Sequence, residues 1–462
     1  MNNSAGDLRI WPLGVVTSQG LLSLYSLNPD RYPYLLESAA SSSEGCNADI
    51  LLAFPGERLV LRSQSGLSAP SNLLVNNSDS FLEVLDKWWQ SQRTNGIVQE
   101  MPFHGGWFLY LSYELAAQIE PSLKKHIRTS ANQLIAQAVR VPAAIIRNAQ
   151  SGESWFVSEN DAEAESRFSQ LKTDLFNSAN KQVQRFDSRI SSICEDASQI
   201  FVDAVEVAQK HIAAGDIYQA NLSRGWHAQV MNPQADELYH RLKLSNPGPF
   251  AGLIRLDQDH FIISSSPERL IEVRNGWANT RPIAGTRKRH ENVLQDQSLI
   301  RELREHPKER AEHIMLLDLE RNDLGKICTA GSVEVDQYMH IETYRHVHHI
   351  VSNVRGRLRD DVTPAQAIAA VFPGGTITGC PKVRCMEIIA SLEPESRGAY
   401  TGSMGYLNRD GSMDLNILIR TMELQGSTLR FRAGAGIVAD SIPDKELDET
   451  RAKALGLLRA LE

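Results

Sequence analysis

Four glutamates stand in two pairs with three-residue spacing, Glu309 with Glu312 in "HPKERAEHIMLLDLERND" and Glu446 with Glu449 in "SIPDKELDETRAKALGLLRAL". Both segments read as helices, and this spacing puts each pair on one helical face. Carboxylates aimed at a common point repel unless a cation lies between them. An all-oxygen set suits Mg²⁺, which keeps waters and shares its shell with an anionic substrate. The plainer alternative is two solvated faces balanced by Lys308, Arg310, Lys445 and Arg451, the ordinary fate of such pairs taken singly. Ser441, Pro443 and Asp444 mark the start of the second helix as cap, first-turn proline and first-turn acid.

Other side chains suit a polar pocket: Glu268 in "SSSPERL", His349 in "RHVHHIVS", Thr376 in "FPGGTITGCPK", Tyr400 in "RGAYTGS" and Arg420 in "ILIRTM". Each has a simpler reading. Glu268 can pair with its neighbour Arg269, His349 can be a hydrogen-bonded core residue, and Arg420 can meet a buried carboxylate. An arginine in an apolar strand is costly to bury alone, however, so it demands an anion from protein or ligand. "FPGGTITGCPK" has Cys380 where a phosphate-binding loop needs lysine, and "AGAGIVA" lacks the adjoining helix and the later acid of a dinucleotide site. Both stretches still offer backbone N–H groups, which can grip a carboxylate. "RPIAGT", Arg281 to Thr286, reads as a Pro-x-x-Gly turn, a fixed φ followed by a permissive one.

The elements that must position these residues follow from patterning. From Leu8 to about Arg147 the chain reads as short strands and turns with helical pieces, "ADILLAF" as a strand and "SFLEVLDKWWQSQ" as an amphipathic helix. Residues 159–198 are polar and poor in aromatics and read as a linker between 1–158 and 199–462. "FVDAVEVAQKHIAAGDIYQANLS" reads as a helix closed by Gly215, then a strand. Beyond it, strands separated by short turns alternate with helices around 295–325, 363–371, 381–391 and 443–461, an α+β pattern.

A chain of 462 residues, 42% hydrophobic, can bury a large core, and its net charge of -8 argues against nucleic acid as a partner. The start lacks a secretory pattern and no stretch reaches a membrane span, so a cytoplasmic protein with no membrane partner is expected. The five scattered cysteines favour neither a disulfide frame nor a zinc site, and Cys380 and Cys385 read as small buried residues.

Across Tyr218 to Leu458, "YQANLS", "SPERL", "RPIAGT", "KERAEHIMLLDLERNDLG", "HHIVS", "FPGGTITGCPKVRCMEII", "GAYTGSMGYL", "MDLNILIRT" and "AGAGIVADS" through "DET" follow in order. In that order they resemble the chorismate-utilising enzymes, chiefly the anthranilate synthase and aminodeoxychorismate synthase large subunits, with isochorismate and salicylate synthases more remote. The resemblance implies one large α+β sandwich of two antiparallel sheets with helices outside, completed by region 1–158, with 159–198 as a surface insertion. It implies Glu312 and Glu449 as Mg²⁺ ligands, direct or through water, supported by Glu309 and Glu446. The metal would hold the ring carboxylate of chorismate as a Lewis acid while the 4-hydroxyl leaves. Glu268 is implied as general acid/base for that hydroxyl, with His349 near it. Arg420, Tyr400 and the amides of Gly434, Ala435 and Gly436 are implied to grip the enolpyruvyl carboxylate. Gly285, Thr286 and Thr376 would line the ring, and Lys382 joins the substrate set.

Many aminodeoxychorismate synthases carry a lysine that attacks ring carbon 2 where this chain has Ala284; anthranilate synthases carry alanine and admit ammonia. Against that, "YQANLS", "TITGCPKVRCMEII", "MDLNILIRT" and the length resemble the aminodeoxychorismate type. The resemblance therefore implies Mg²⁺-dependent amination of chorismate to 4-amino-4-deoxychorismate, toward 4-aminobenzoate and folate. Anthranilate synthase is the alternative, and a non-catalytic chorismate or tryptophan sensor a third, against which Glu268, Glu312 and Glu449 speak. The attacking group stays open between water, another nucleophile and ammonia itself. No cysteine sits in a Gly-x-Cys-x-Gly turn, so a separate glutamine amidotransferase subunit is implied as the ammonia source. "YLLESAA", Tyr34 to Ala40, resembles the family's tryptophan pocket, with Ser38 meeting the ligand and Pro249 and Phe250 covering it. "GCNA", Gly45 to Ala48, lacks the aromatic and basic residues expected opposite.

Overall fold

Apolar runs from both ends of the chain pair into two antiparallel sheets, of twelve and eleven strands among the described residues. The structure is a computed structural model and describes residues 8–39, 48–76, 78–94, 101–180, 187–343 and 347–462. In the first sheet Tyr34–Glu37 pairs with Phe250–Asp257, which leads through His260–Ser266, Thr421–Gln425 and Thr428–Ile437 to Gln219–Met231. In the second, Gly106–Leu111 pairs with Ser403–Asn408, followed by Met413–Asn416, Arg269–Arg274, Trp277–Arg281 and Val347–Arg357. Region 1–158 contributes strands to both sheets.

The inner faces pack on each other through Tyr34, Ile50 and Ile262 from one sheet and Phe108, Tyr110 and Met404 from the other. The Tyr34 and Phe108 rings stack with centroids 3.9 Å apart. Helices Ser18–Leu27, Ala235–Ser245 and Pro443–Leu461 cover the outer face of the first sheet, while Phe81–Gln92, Pro307–Gly325 and Pro364–Val371 cover that of the second. The result is a helix, sheet, sheet, helix stack, which gives every apolar face a partner. Helix Phe81–Gln92 shows how locally this is encoded: Ser80 and Glu83 form a reciprocal capping box, and Phe81, Leu82, Val84, Leu85 and Trp88 supply one buried face. No helix among the described residues is long and apolar enough to cross a membrane.

Three expectations are corrected. Residues 159–198 are not a linker: Ala164–Asn180 is a helix and Arg189–Glu195 is an edge strand on Gln219–Met231. The polar composition conceals a stripe of Ala164, Phe168, Leu171 and Leu175 at helical spacing, and Phe168 stacks on Trp11 at 4.8 Å. The helix expected at 295–325 is two, Val293–Glu305 and Pro307–Gly325, because Pro307 disfavours helical φ and ψ at His306. Ser441 does not cap the last helix, whose N-cap is Ile442; its hydroxyl instead accepts from Val438 N at 3.1 Å.

Candidate active site

The chain twice leaves one sheet for the other at neighbouring points, and these crossings form the centre of the site. Glu268 lies between His260–Ser266 and Arg269–Arg274, and Arg420 lies between Met413–Asn416 and Thr421–Gln425. The continuous strand expected through "ILIRTM" is therefore divided, since its two halves bury their side chains in different sheets. The crossings are tied together: Ile417 N donates to Glu268 O at 3.0 Å, Ser266 Oγ to Ile417 O at 2.5 Å and Ser265 N to Arg420 O at 3.1 Å. A third segment joins them, with Thr401 N donating to Leu418 O and Leu418 N to Gly402 O, both at 2.8 Å. This brings Tyr400 alongside Arg420. Arg420 itself has φ 52°, a left-handed conformation that costs a non-glycine residue on the order of 1 kcal/mol and gathers at functional sites.

Glu268 is 5% exposed, and burial pushes its carboxyl up to about 7, with the Thr376 hydroxyl and Lys453 pulling the other way. Thr376 sits on the short turn Gly375–Ile377 near Glu268, although its buried hydroxyl has no partner in full hydrogen-bonding geometry. Burial pulls the Arg420 guanidinium down, opposed by Tyr400. Among the described residues no carboxylate forms an ion pair with Arg420, and its one close polar contact is Asn246 Oδ1 at 3.5 Å. The protein thus leaves to a ligand the anion that this arginine calls for.

The glycine-rich stretch is the second part of the cradle. Thr428–Ile437 outruns Thr421–Gln425, whose pairing ends at Phe431, so beyond Arg432 no strand among the described residues stands opposite that edge. A Cβ on Gly434 would stand 2.6 Å from both Leu222 O and Tyr400 Oη, and one on Gly436 2.5 Å from Gln219 Nε2. At Gly434, where the near atom is backbone, only glycine permits that approach. Ala435, between them, pairs with Leu222.

"RPIAGT" is not the expected turn: Arg281 ends the strand Trp277–Arg281, and after Pro282 a new strand begins at Ile283. Ile283–Lys288 pairs with Val347–Arg357, and a bulge at Gly285, φ 58°, falls between Ala284 opposite Ile350 and Thr286 opposite His349. The strand Val347–Arg357 offers hydrogen-bonding groups on both sides of Gly285, and a bulge absorbs the extra residue. The Thr286 side chain lies outside the described residues. Ala284 is buried. Burial, and then the charge of Arg420, push His349 down to about 4, against a hydrogen bond to the Gly285 backbone. Its imidazole is therefore neutral at neutral pH.

The four helical carboxylates approach this centre only indirectly. Glu309 Oε2 lies 2.0 Å from where a Gly285 Cβ would stand, while its other oxygen accepts from Arg287 at 2.7 Å. Glu449 is held at 2.7 Å by Lys453, which donates to Gly434 O at 3.0 Å. Glu446 is buried and Glu312 half-buried. Oxygen donors are the right type for Mg²⁺, but no group of three or more His, Cys, Asp or Glu among the described residues is placed to hold a metal. Lys382 is tied to Asp323 and to Val371 O, linking two helices.

Ser38, Pro249 and Phe250 do come together, with Leu36, Met404 and Asn416, around a separate cavity of about 60 Å³. That is well below the roughly 300 Å³ at which small-molecule pockets begin. Ala40 and Gly45 to Asn47 lie outside the described residues.

Sequence reading missed Lys453, although its place four residues after Glu449 is the spacing of a helical ion pair. It also missed Arg397, whose guanidinium donates to Ile377 O at 3.1 Å, Asn221 O at 2.7 Å and Glu393 at 2.7 Å, tying together the segments that carry Thr376, the first strand residues and Tyr400. Nothing short of the fold announces that role.

An arginine with no carboxylate partner among the described residues, a phenol, close-packed glycine backbone and a buried carboxyl pushed up to about 7 gather where the chain crosses between the sheets of an α+β double sheet. The model of the chorismate binding enzyme family matches residues 37–459, and the chain belongs to that family. It is 42% identical over 373 residues to an anthranilate synthase component I-like protein of Synechocystis sp., covering 80% of this chain and 75% of that one. It is 39% identical over 391 residues to aminodeoxychorismate synthase component 1 of Bacillus subtilis, covering 82% of each. The crystal structure of anthranilate synthase component I from Streptococcus pneumoniae superposes with a TM-score of 0.77 at 31% identity, over 90% of this chain and 93% of that one.

Proposed function

We propose that the protein aminates chorismate to 4-amino-4-deoxychorismate, with ammonia from a separate glutaminase subunit, for 4-aminobenzoate and folate synthesis. The observation that carries the acid–base reading is Glu268, buried with its carboxyl pushed up to about 7, on one of the two tied crossings whose other member carries Arg420, an arginine with no carboxylate partner among the described residues. Arg420, Tyr400 and the open edge at Gly434 to Gly436 hold a substrate carboxylate. Glu268 gives its proton to the 4-hydroxyl as the carbon–oxygen bond breaks and water leaves, then takes one from the incoming nitrogen. Neutral His349 offers the leaving oxygen a hydrogen bond without placing a second positive charge beside Arg420. Buried Ala284 supplies no nucleophile, so ammonia itself attacks the ring. Mg²⁺ belongs to the proposal on the donor chemistry of Glu309, Glu312, Glu446 and Glu449 alone; when bound it would polarise the ring carboxylate.

Anthranilate synthase is the second reading, favoured by Ala284 and by the names of several relatives. Purified protein with chorismate, Mg²⁺ and ammonium, its product identified by mass and then coupled to a lyase that releases 4-aminobenzoate, separates the two. 4-Amino-4-deoxychorismate is expected, whereas anthranilate with pyruvate would replace the first reading by the second.

A further inference from the structure

Asn246 ends the helix Ala235–Ser245: its N–H donates to Leu242 O at 2.8 Å, and Pro247 after it disfavours helical φ and ψ there. That role uses backbone alone. The carboxamide is engaged elsewhere, with Oδ1 accepting from the Arg420 guanidinium at 3.5 Å.

The side chain is held in that position from two directions. Ser265 ties the two residues to each other, its Oγ donating to Asn246 O and its N to Arg420 O at 3.1 Å. On the other side lies the helix Pro443–Leu461, fastened by Ser245 Oγ, which donates to Gly456 O at 2.9 Å. A Cβ on Gly456 would stand 2.8 Å from Asn246 Cβ and 3.0 Å from its Oδ1, so glycine at this point gives the carboxamide its room. Gly456 follows Lys453 by three residues and Glu449 by seven, which puts all three on one stripe of the helix. Lys453 on that stripe donates to Gly434 O at 3.0 Å. One helical face therefore sets both the neighbour of the guanidinium and the glycine backbone of the cradle.

The residue type matters as much as the place. An aspartate would have the same shape, but it would give Arg420 an ion pair within the protein and so compete with the carboxylate of a ligand. A carboxamide oxygen accepts from the guanidinium and leaves its charge in place. A guanidinium with no neighbour would have to be ordered as the ligand arrives, at a cost to affinity.

We propose that Asn246 is a positioning residue for carboxylate recognition, orienting Arg420 through a neutral hydrogen bond and keeping its charge for the ligand. The proposal rests on the reading that Arg420 holds a substrate carboxylate, and adds to it the group that aims the arginine.

The test compares Asn246→Asp, Asn246→Ala, Arg420→Gln and the wild type by calorimetric titration of chorismate and by steady-state kinetics, with circular dichroism to show that each is folded. If Asn246 only shaped the helix end, the isosteric Asn246→Asp would be the milder of its two variants. The positioning role reverses that order. Asn246→Asp should weaken chorismate binding about a hundredfold, as Arg420→Gln does, because the introduced carboxylate takes up the guanidinium. Asn246→Ala should weaken it about fivefold, the worth of one hydrogen bond. In both, kcat at saturating chorismate should stay within about twofold of the wild type, since binding alone is touched. Wild-type chorismate affinity in Asn246→Asp while Arg420→Gln has lost it would overturn the proposal, and so would Asn246→Ala proving the more damaging of the two. Should Asn246→Asp not fold, unchanged affinity in folded Asn246→Ala would overturn it equally. Wild-type affinity in Arg420→Gln would instead remove the carboxylate reading, and this proposal with it.

Discussion

At the scale of single residues, Glu268 sets stability against chemistry. Its folded-state pKa is raised from 4.5 to about 7, so between those values the native protein keeps a proton that the unfolded chain releases. Stability therefore falls as pH rises through that window, by on the order of 3 kcal/mol in all, and is unaffected below it. Glu268→Gln keeps the shape without the charge. It should abolish turnover, melt above the wild type at pH 8 and melt with it at pH 4; equal melting at both would mean that the carboxyl is not desolvated. Replacing Arg420 by Gln should weaken chorismate binding about a hundredfold by calorimetry, the worth of a charge-assisted bidentate contact, and Lys should restore little because it lacks the planar fork. The types of both residues were legible in "SPERL" and "ILIRTM". Their environments were not, because burial at Glu268 and the missing anion at Arg420 arise where two distant crossings meet.

At the scale of elements, the site depends on a few segments held at close approach. Gly434→Ala would set a Cβ 2.6 Å from Leu222 O, a backbone atom that cannot step aside, and from Tyr400 Oη. It should destabilise by roughly 1–3 kcal/mol and raise the chorismate KM, measurable as a lowered denaturation midpoint together with steady-state kinetics. Arg397→Gln leaves Glu393 with only Arg432 of its two guanidinium partners and should cost about 3–5 kcal/mol, partly recovered in the Arg397→Gln, Glu393→Gln double variant. A double variant no better than the single would show that the backbone ties of Arg397, and not its charge, matter. Helices at 363–371, 381–391 and 443–461 were readable from periodicity and proline. "RPIAGT" was not, since whether Pro-x-x-Gly bends or bulges is decided by the strand beside it. The helix Ala164–Asn180 was hidden because four apolar positions on one face are diluted by polar residues on the others.

At the scale of the whole molecule, the two ends of the chain share both sheets, so neither sheet can form from 1–158 or 199–462 alone. Unfolding should then be one transition, with far-UV circular dichroism coinciding with fluorescence from Trp88 and Trp107 on one layer and Trp226 on the other. Separated transitions would show independent units. The double-sheet fold was legible only through the ordered motifs from Tyr218 to Leu458, because alternation fixes strands but not their partners. The acid–base site proposed between the sheets meets its most direct test in calorimetric titration of chorismate into the wild type and Glu268→Gln with ammonium absent, followed by ammonium addition. The predicted result is wild-type affinity with no turnover. Failure of both proteins to bind chorismate, or full turnover by the variant, would contradict it.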